Sequence, residues 1–421
     1  MPVLRHFTPR ELSSGLPRRR SADVLALVLR AFVPQQAWAQ QSLSIATFGG
    51  AYGRAQEIAV LEPYARKTGT VISTESYGGK ASSLRALIAN DATPVDVVDV
   101  SAGALAKFCN EGLLVPIESD ALESDGETSD DFLPGALSKC GVASMAWSMA
   151  VVTNGRAFRD GAPTTIDALL DVDRFPGKRA LPNDAARTLE LVLLADGVAP
   201  DAIYQALATP EGADRAFAAL DKIRQSVLLW EKPAEPMAWV ASGRASMAAG
   251  YSGRIFRAAV LDRNLEILWD GQIYDLDAWA VPMASKNKPE AMRFIRFATA
   301  PAQLAAQARL TAYGPLRKSA LSQVGKHPAI GVDMQRFLPT APANNQNALR
   351  FDQAWWDENG ANLSSRFEAW AKSLNAPAAT GAEEQQSSDT EDGQLPNATD
   401  PLEYLPSKHT CESTAEKKVR L

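Results

Sequence analysis

Histidine and cysteine are scarce in this chain of 421 residues, with three of each, and that scarcity removes most catalytic and metal chemistry. His6 and His409 lie near the two ends, and His327 stands beside Pro328 in a loop, so no Ser-His or Cys-His pairing suggests itself. H-E-x-x-H is missing, and so is G-x-S-x-G, because Gly250-Tyr251-Ser252-Gly253 has the wrong spacing. No G-x-G-x-x-G follows a strand pattern and no G-x-x-x-x-G-K-[ST] is present, which argues against nucleotide binding. Long apolar runs are also lacking. Val24 to Leu29 is the longest near the start and is followed at once by Arg30, far too short to cross a bilayer. Positive charge is in deficit, with a net charge of −6, which argues against a nucleic-acid partner.

What remains is an ordinary globular composition on a chain long enough for two domains. Arg18, Arg19 and Arg20 precede the short apolar run, and Ala37-Trp38-Ala39 follows Pro34. A basic region, an apolar stretch and an A-x-A site form the layout of a secretory signal over residues 1–39, cleaved near Ala39. Its removal discards six arginines against Glu11 and Asp23, so the exported protein is expected to be more acidic. An oxidising compartment favours pairing Cys109 with Cys140, while Cys411 has no evident partner. Beyond Ala376 the chain turns to Ala, Ser, Thr, Glu, Asp and Pro, and residues 376–421 are expected to be disordered.

Between these ends the pattern is α/β. A half-buried strand at Ser42 to Phe48 runs into Gly49 and Gly50 and a helix; Val71 to Ser76 and Val95 to Val100 begin two more such units. Strand, glycine loop and helix in succession signify a parallel sheet, with ligands outside the carboxyl ends of the strands. Tyr52, Lys80 and Ser101 should face that crevice. From Cys140 to Asn154 a buried apolar strand carries Trp147, and a second α/β segment follows, with Asn183 to Arg187 as a loop. The stretch Trp269 to Pro282 then carries Asp275 and Asp277 among aromatics. Their i, i+2 spacing puts both carboxylates on one face of a strand, suited to holding a cation or to solvation on a surface hairpin. A hydrolase could use such a pair, but the rest of a catalytic site is missing.

Several blocks in order resemble the solute-binding proteins of spermidine/putrescine-type ABC transporters: Phe48-Gly49-Gly50-Ala51-Tyr52, Trp147-Ser148, Trp269 to Pro282, Tyr313-Gly314-Pro315 and Asn347 to Trp356. The resemblance spans about residues 42–374. It implies a two-lobed type II periplasmic-binding-protein fold, with lobe 1 at 42–150 plus 278–313, lobe 2 at 151–277 plus 314–375, and crossing strands as the hinge. It also implies no catalysis and no cofactor, a small amine solute such as putrescine or spermidine, an inner-membrane permease as partner, and a monomer. Carried over by position, Tyr251 stacks on the solute, Asp277 grips an amine, and Ser101 lies in a site loop, with Tyr52, Trp147, Arg187, Asp275 and Tyr313 completing the set. The chain departs from the pattern at Thr188, where polyamine binders have an acid, and at Asp275, where they have an aromatic. Should Lys80 and Arg187 face inward they would repel a polyamine and attract a carboxylate, which favours a γ-aminobutyrate-like or amino-acid zwitterion instead.

Overall fold

The computed structural model describes residues 41–90, 94–118, 129–159 and 161–374. The expected signal at 1–39 and the expected tail at 376–421 lie outside them. Among the described residues ten strands form one mixed sheet: β1 (Ser42–Thr47), β2 (Val71–Ser76), β3 (Val97–Ser101), β4 (Leu137–Ser138), β5 (Gly141–Asn154), β6 (Arg179–Pro182), β7 (Val227–Trp230), β8 (Met247–Tyr251), β9 (Leu265–Ala280) and β10 (Leu349–Arg350). The main order is β2-β1-β3-β9-β5-β8-β6-β7. β2, β1 and β3 run parallel at one end, and β8, β6 and β7 run parallel at the other. β9 and β5 lie antiparallel between them.

The helices that matter for the site begin where strands end. They are α1 (Gly50–Gln56) after β1, α2 (Ala81–Ile88) after β2, α3 (Ala102–Asn110) after β3, α4 (Ala185–Ala195) after β6 and α5 (Ser252–Leu261) after β8. Each is too short to be stable alone, and packing of its apolar face on the sheet supplies most of its stability. A long closing helix, α6 (Gln353–Leu374), buries Trp356, Leu363, Phe367 and Trp370.

β5 and β9 are long because each serves two cores. Val142, Ala143 and Ala146 of β5 pack with Leu276 and Trp279 of β9 among Leu43, Ile45 and Val97. Farther along the same strands, Met149, Val151 and Val152 join Leu265, Leu268 and Ile273 in a second core with Leu181, Leu189 and Val192. The change of core therefore falls between Ala146 and Met149 on β5 and between Ile273 and Leu276 on β9. The register between the two strands shifts on either side of that point, at Ala143/Met145 and Met149/Val151. Such irregularities bend a ladder locally and aim side chains differently from a regular pleat. Tyr313-Gly314-Pro315 forms no strand; Gly314 makes one bridge with Ala146, each N–H donating to the other's carbonyl at 2.8 Å.

Cys109, near the end of α3, and Cys140, just before β5, are joined by a disulfide, with their Cα atoms 5.8 Å apart. The cross-link ties the helix behind β3 to the start of one crossing strand. Closing a loop of this length should contribute about 3–4 kcal/mol. The double variant Cys109→Ser/Cys140→Ser should lose that much in chemical denaturation, as should the reduced wild-type protein; unchanged midpoints would show that the bond adds nothing.

Candidate functional site

Where β5 and β9 change cores, the aromatic residues of the sequence converge. A cavity of about 680 Å³ is lined by Phe48, Tyr52, Trp147, Tyr251, Asp277 and Tyr313, with Arg254 and Arg257 from α5. Strand-to-helix turns supply most of these. Tyr52 lies in the first turn of α1, Tyr251 is the last residue of β8, and Arg254 sits in the first turn of α5. The rings brace one another: Tyr52 meets Tyr313 edge-on at 5.5 Å between centroids, and Trp147 meets Tyr251 at 5.7 Å. Phe48 packs against both Tyr52 and Tyr77.

Asp277 is the acid of this cavity, only 5% exposed. Across the ladders it stands opposite Met145 on β5 and Ser101 on β3. Burial pushes its carboxyl well above the usual carboxylate range, and the nearby charges of Asp99 and Asp275 push it further; a hydrogen bond with Trp147 opposes them. Among the described residues it has no ion-pair partner.

Five of the eight residues expected to bind solute therefore line one cavity: Tyr52, Trp147, Tyr251, Asp277 and Tyr313. Asp275 does not join them. It lines a second cavity of about 620 Å³ with Tyr204, Tyr274, Arg350, Phe351 and Asp352. The two acids follow one another on the regular stretch of ladder that pairs Met145–Met149 with Ile273–Asp277, as the i, i+2 spacing requires, yet they line different cavities. The Asp275 carboxylate accepts the Leu276 N–H at 2.8 Å, and burial raises its pKa to about 6. Ser101 is the residue before α3 and lines neither cavity. Lys80, the residue before α2, is exposed and also lines neither.

Arg187 stands behind the wall rather than in it. Its guanidinium lies 5.6 Å from the Trp147 ring, which lines the first cavity, and 4.2 Å from Phe351, which lines the second. Asp184 is 3.6 Å away, and Nε has no hydrogen-bond partner. The backbone at Arg187 is strained, with φ 72° and ψ −38°, the one positive φ outside glycine among the described residues. Side chains rarely accept that geometry unless surrounding contacts impose it. Thr188, the position where polyamine binders carry an acid, is buried and donates to the Pro182 carbonyl at 3.0 Å.

Two functional features escaped the sequence reading. Arg254 follows the Tyr251 turn and was legible as a cation at a strand's carboxyl end. Asp99 lies in the apolar run Val97 to Val100, where an acid in a strand covered on both faces must be buried. It is 0% exposed. Gln56 Nε2 donates to it at 2.7 Å and Ser144 Oγ at 3.3 Å.

A cavity walled by aromatic rings and one buried acid, set where two strands pass between cores, defines a two-lobed solute-binding protein. The chain belongs to the bacterial extracellular solute-binding proteins, whose family model matches residues 59–331. It is the extracytoplasmic solute-binding component of an ABC importer, not an enzyme. It is similar to a gamma-aminobutyric acid-binding protein of Pseudomonas aeruginosa, 37% identical over 82% of this chain and 96% of that one. A spermidine/putrescine-binding periplasmic protein of Escherichia coli is more distant, at 22% identity over 75% of this chain and 88% of that one. Among solved structures, an ABC transporter substrate-binding protein from Bradyrhizobium japonicum superimposes with a TM-score of 0.67 at 25% identity, covering 79% of this chain and 99% of that one. A solved GABA receptor has a TM-score of 0.64 at 25% identity, covering 82% of this chain and all of that one.

The strain at Arg187 is measurable. Arg187→Ala keeps the strained backbone and loses the stacking, whereas Arg187→Gly removes both, so the glycine variant should be more stable than the alanine variant by about 1 kcal/mol. Equal denaturation midpoints would show that the φ costs nothing.

Proposed function

We propose that the solute is an ω-amino acid of the γ-aminobutyrate kind, its ammonium held at Asp277 and its carboxylate directed to Arg254. One observation carries the reading: a single aromatic-walled cavity is lined by both a buried acid and an arginine. Among the described residues Arg254 has no ion-pair partner, and it is exposed to whatever enters. An ammonium gains charge-assisted hydrogen bonds at the carboxylate and cation–π attraction from Trp147 and the tyrosines, while methylenes pack on the rings. A guanidinium receives a carboxylate through paired N–H donors, a geometry that discriminates against a second ammonium. The similarity to a GABA-binding protein supports this ligand over putrescine or spermidine, the first expectation from sequence. The loaded protein would deliver its solute to an inner-membrane permease, acting as a monomer.

The polyamine reading keeps one observation in its favour, the concentration of acids around the cavity. Asp99 and Asp275 both bear on Asp277 electrostatically. Calorimetry against γ-aminobutyrate, putrescine, spermidine, butyrate and α-amino acids separates the two readings. γ-Aminobutyrate should bind, with butyrate and putrescine weaker because each lacks one matching charge. At one hundred times its dissociation constant it should stabilise the protein by about 2.7 kcal/mol. Asp277→Asn should cost about 2–5 kcal/mol of binding by removing one partner of a buried charge pair. Preference for putrescine over γ-aminobutyrate would overturn the zwitterion reading, and unchanged affinity in Asp277→Asn would remove that acid from the site.

A further inference from the structure

We propose that Asp99 is a specificity-determining partner of Asp277: the two buried carboxylates act as one receptor for an ammonium, and in the empty protein they share a proton that the ammonium displaces. The inference rests on the amine-bearing solute proposed above and adds to it a second acid that works through the first.

The geometry supplies the argument. On the antiparallel β3–β9 ladder Asp99 stands opposite Trp279 and Asp277 opposite Ser101, so the two acids are diagonal neighbours on one face. Ser144 fixes Asp99 against the main chain of β9, its hydroxyl lying 3.3 Å from Asp99 Oδ1 and 3.0 Å from the main-chain carbonyl of Asp277. Gln56 Nε2 donates to Asp99 Oδ2 at 2.7 Å and to the Tyr52 hydroxyl at 2.8 Å, which ties the inner acid to a ring of the cavity wall. Among the described residues neither acid has an ion-pair partner. The titratable neighbours are Tyr52 from α1, Tyr77 beyond β2, Asp275 from β9 and Tyr313; the arginines of α5, Arg254 and Arg257, act on Tyr313. Two buried carboxyls placed diagonally on one face, with the charge of Asp99 bearing on Asp277, resist ionising together without a cation beside them. Burial raises the pKa of Asp99 to about 7, against the hydrogen bonds of Gln56, Tyr52 and Ser144. When R–NH₃⁺ enters, the shared proton leaves to solvent, the ammonium keeps its own three, and the pair becomes a dianion facing one positive charge. A neutral solute of the same shape gains nothing from this exchange.

The test is calorimetry of the mature protein with γ-aminobutyrate and with putrescine at pH 6, in buffers of different ionisation heat. Wild type should release about one proton per solute bound, and the apparent affinity should rise about tenfold from pH 5 to pH 6, levelling above pH 7. Asp99→Asn should cut proton release at pH 6 by about half or more and flatten that slope. Solute binding without proton release by the wild type would overturn the inference and leave the zwitterion reading intact. If neither probe binds, that reading fails and the ligand-free protein still decides the pairing. Unfolded aspartates ionise near pH 4 while the folded pair keeps its proton until about pH 7, so the wild-type melting temperature should fall across that window. The Asp99→Asn protein should fall less over the same range, and an identical profile would refute the pairing.

Discussion

The constraint on which the molecule depends is that two neighbouring strands must each satisfy two hydrophobic cores. β5 and β9 enter one core through Ala146 and Leu276 and the other through Met149 and Ile273. At the change of core the strands are covered by aromatic rings and polar side chains rather than by either apolar cluster. Trp147 and Asp275 occupy that interval, and Asp277 lies just beyond it on β9. Two lobes sharing only a few strands move relative to one another by small adjustments at those strands.

Electrostatics then follows from burial. Asp99, Asp277 and Glu190 are all carboxyls with little or no exposure, and burial is the first cause of each raised pKa. Glu190 accepts a hydrogen bond from Trp356 Nε1 at 2.5 Å and braces the closing helix α6. Asp99 and Asp277 have no comparable structural employment beyond the hydrogen bonds that orient them. Holding unpaired acids in a core costs stability, and a protein that keeps them gains that energy back when a cation arrives. Arg187 shows the same logic in the backbone, where strain holds a guanidinium between Trp147 and Phe351.

Much of this was legible in the sequence, for identifiable reasons. The strand-loop-helix units fell where alternation and glycine placed them because local pattern and tertiary burial agree there. The aromatic members of the cavity were readable because each occurs in a motif carrying several unusual residues together. Asp275 is not placed correctly by the i, i+2 rule because that rule gives a face of the strand and not the cavity it opens on, which is set by Tyr204, Arg350 and Phe351, far away in the chain. Asp99 was passed over because alternation registers it as one polar residue in a strand, whereas its meaning comes from Asp277, 178 positions away. Arg254 carries no signal of its own in the chain, since a lone arginine after a turn is ordinarily a solvated charge.

The observations place a buried acid, Asp277, and an arginine, Arg254, in one cavity, and the proposal is that they hold the two ends of a zwitterion. A crystal structure of the mature protein grown with γ-aminobutyrate examines that arrangement most directly. The solute nitrogen should lie within about 3 Å of the Asp277 carboxylate, its carboxylate on Arg254 and its methylenes against Trp147 and Tyr251. A solute bound in the reverse orientation, or seated instead in the second cavity beside Asp275 and Arg350, would contradict it.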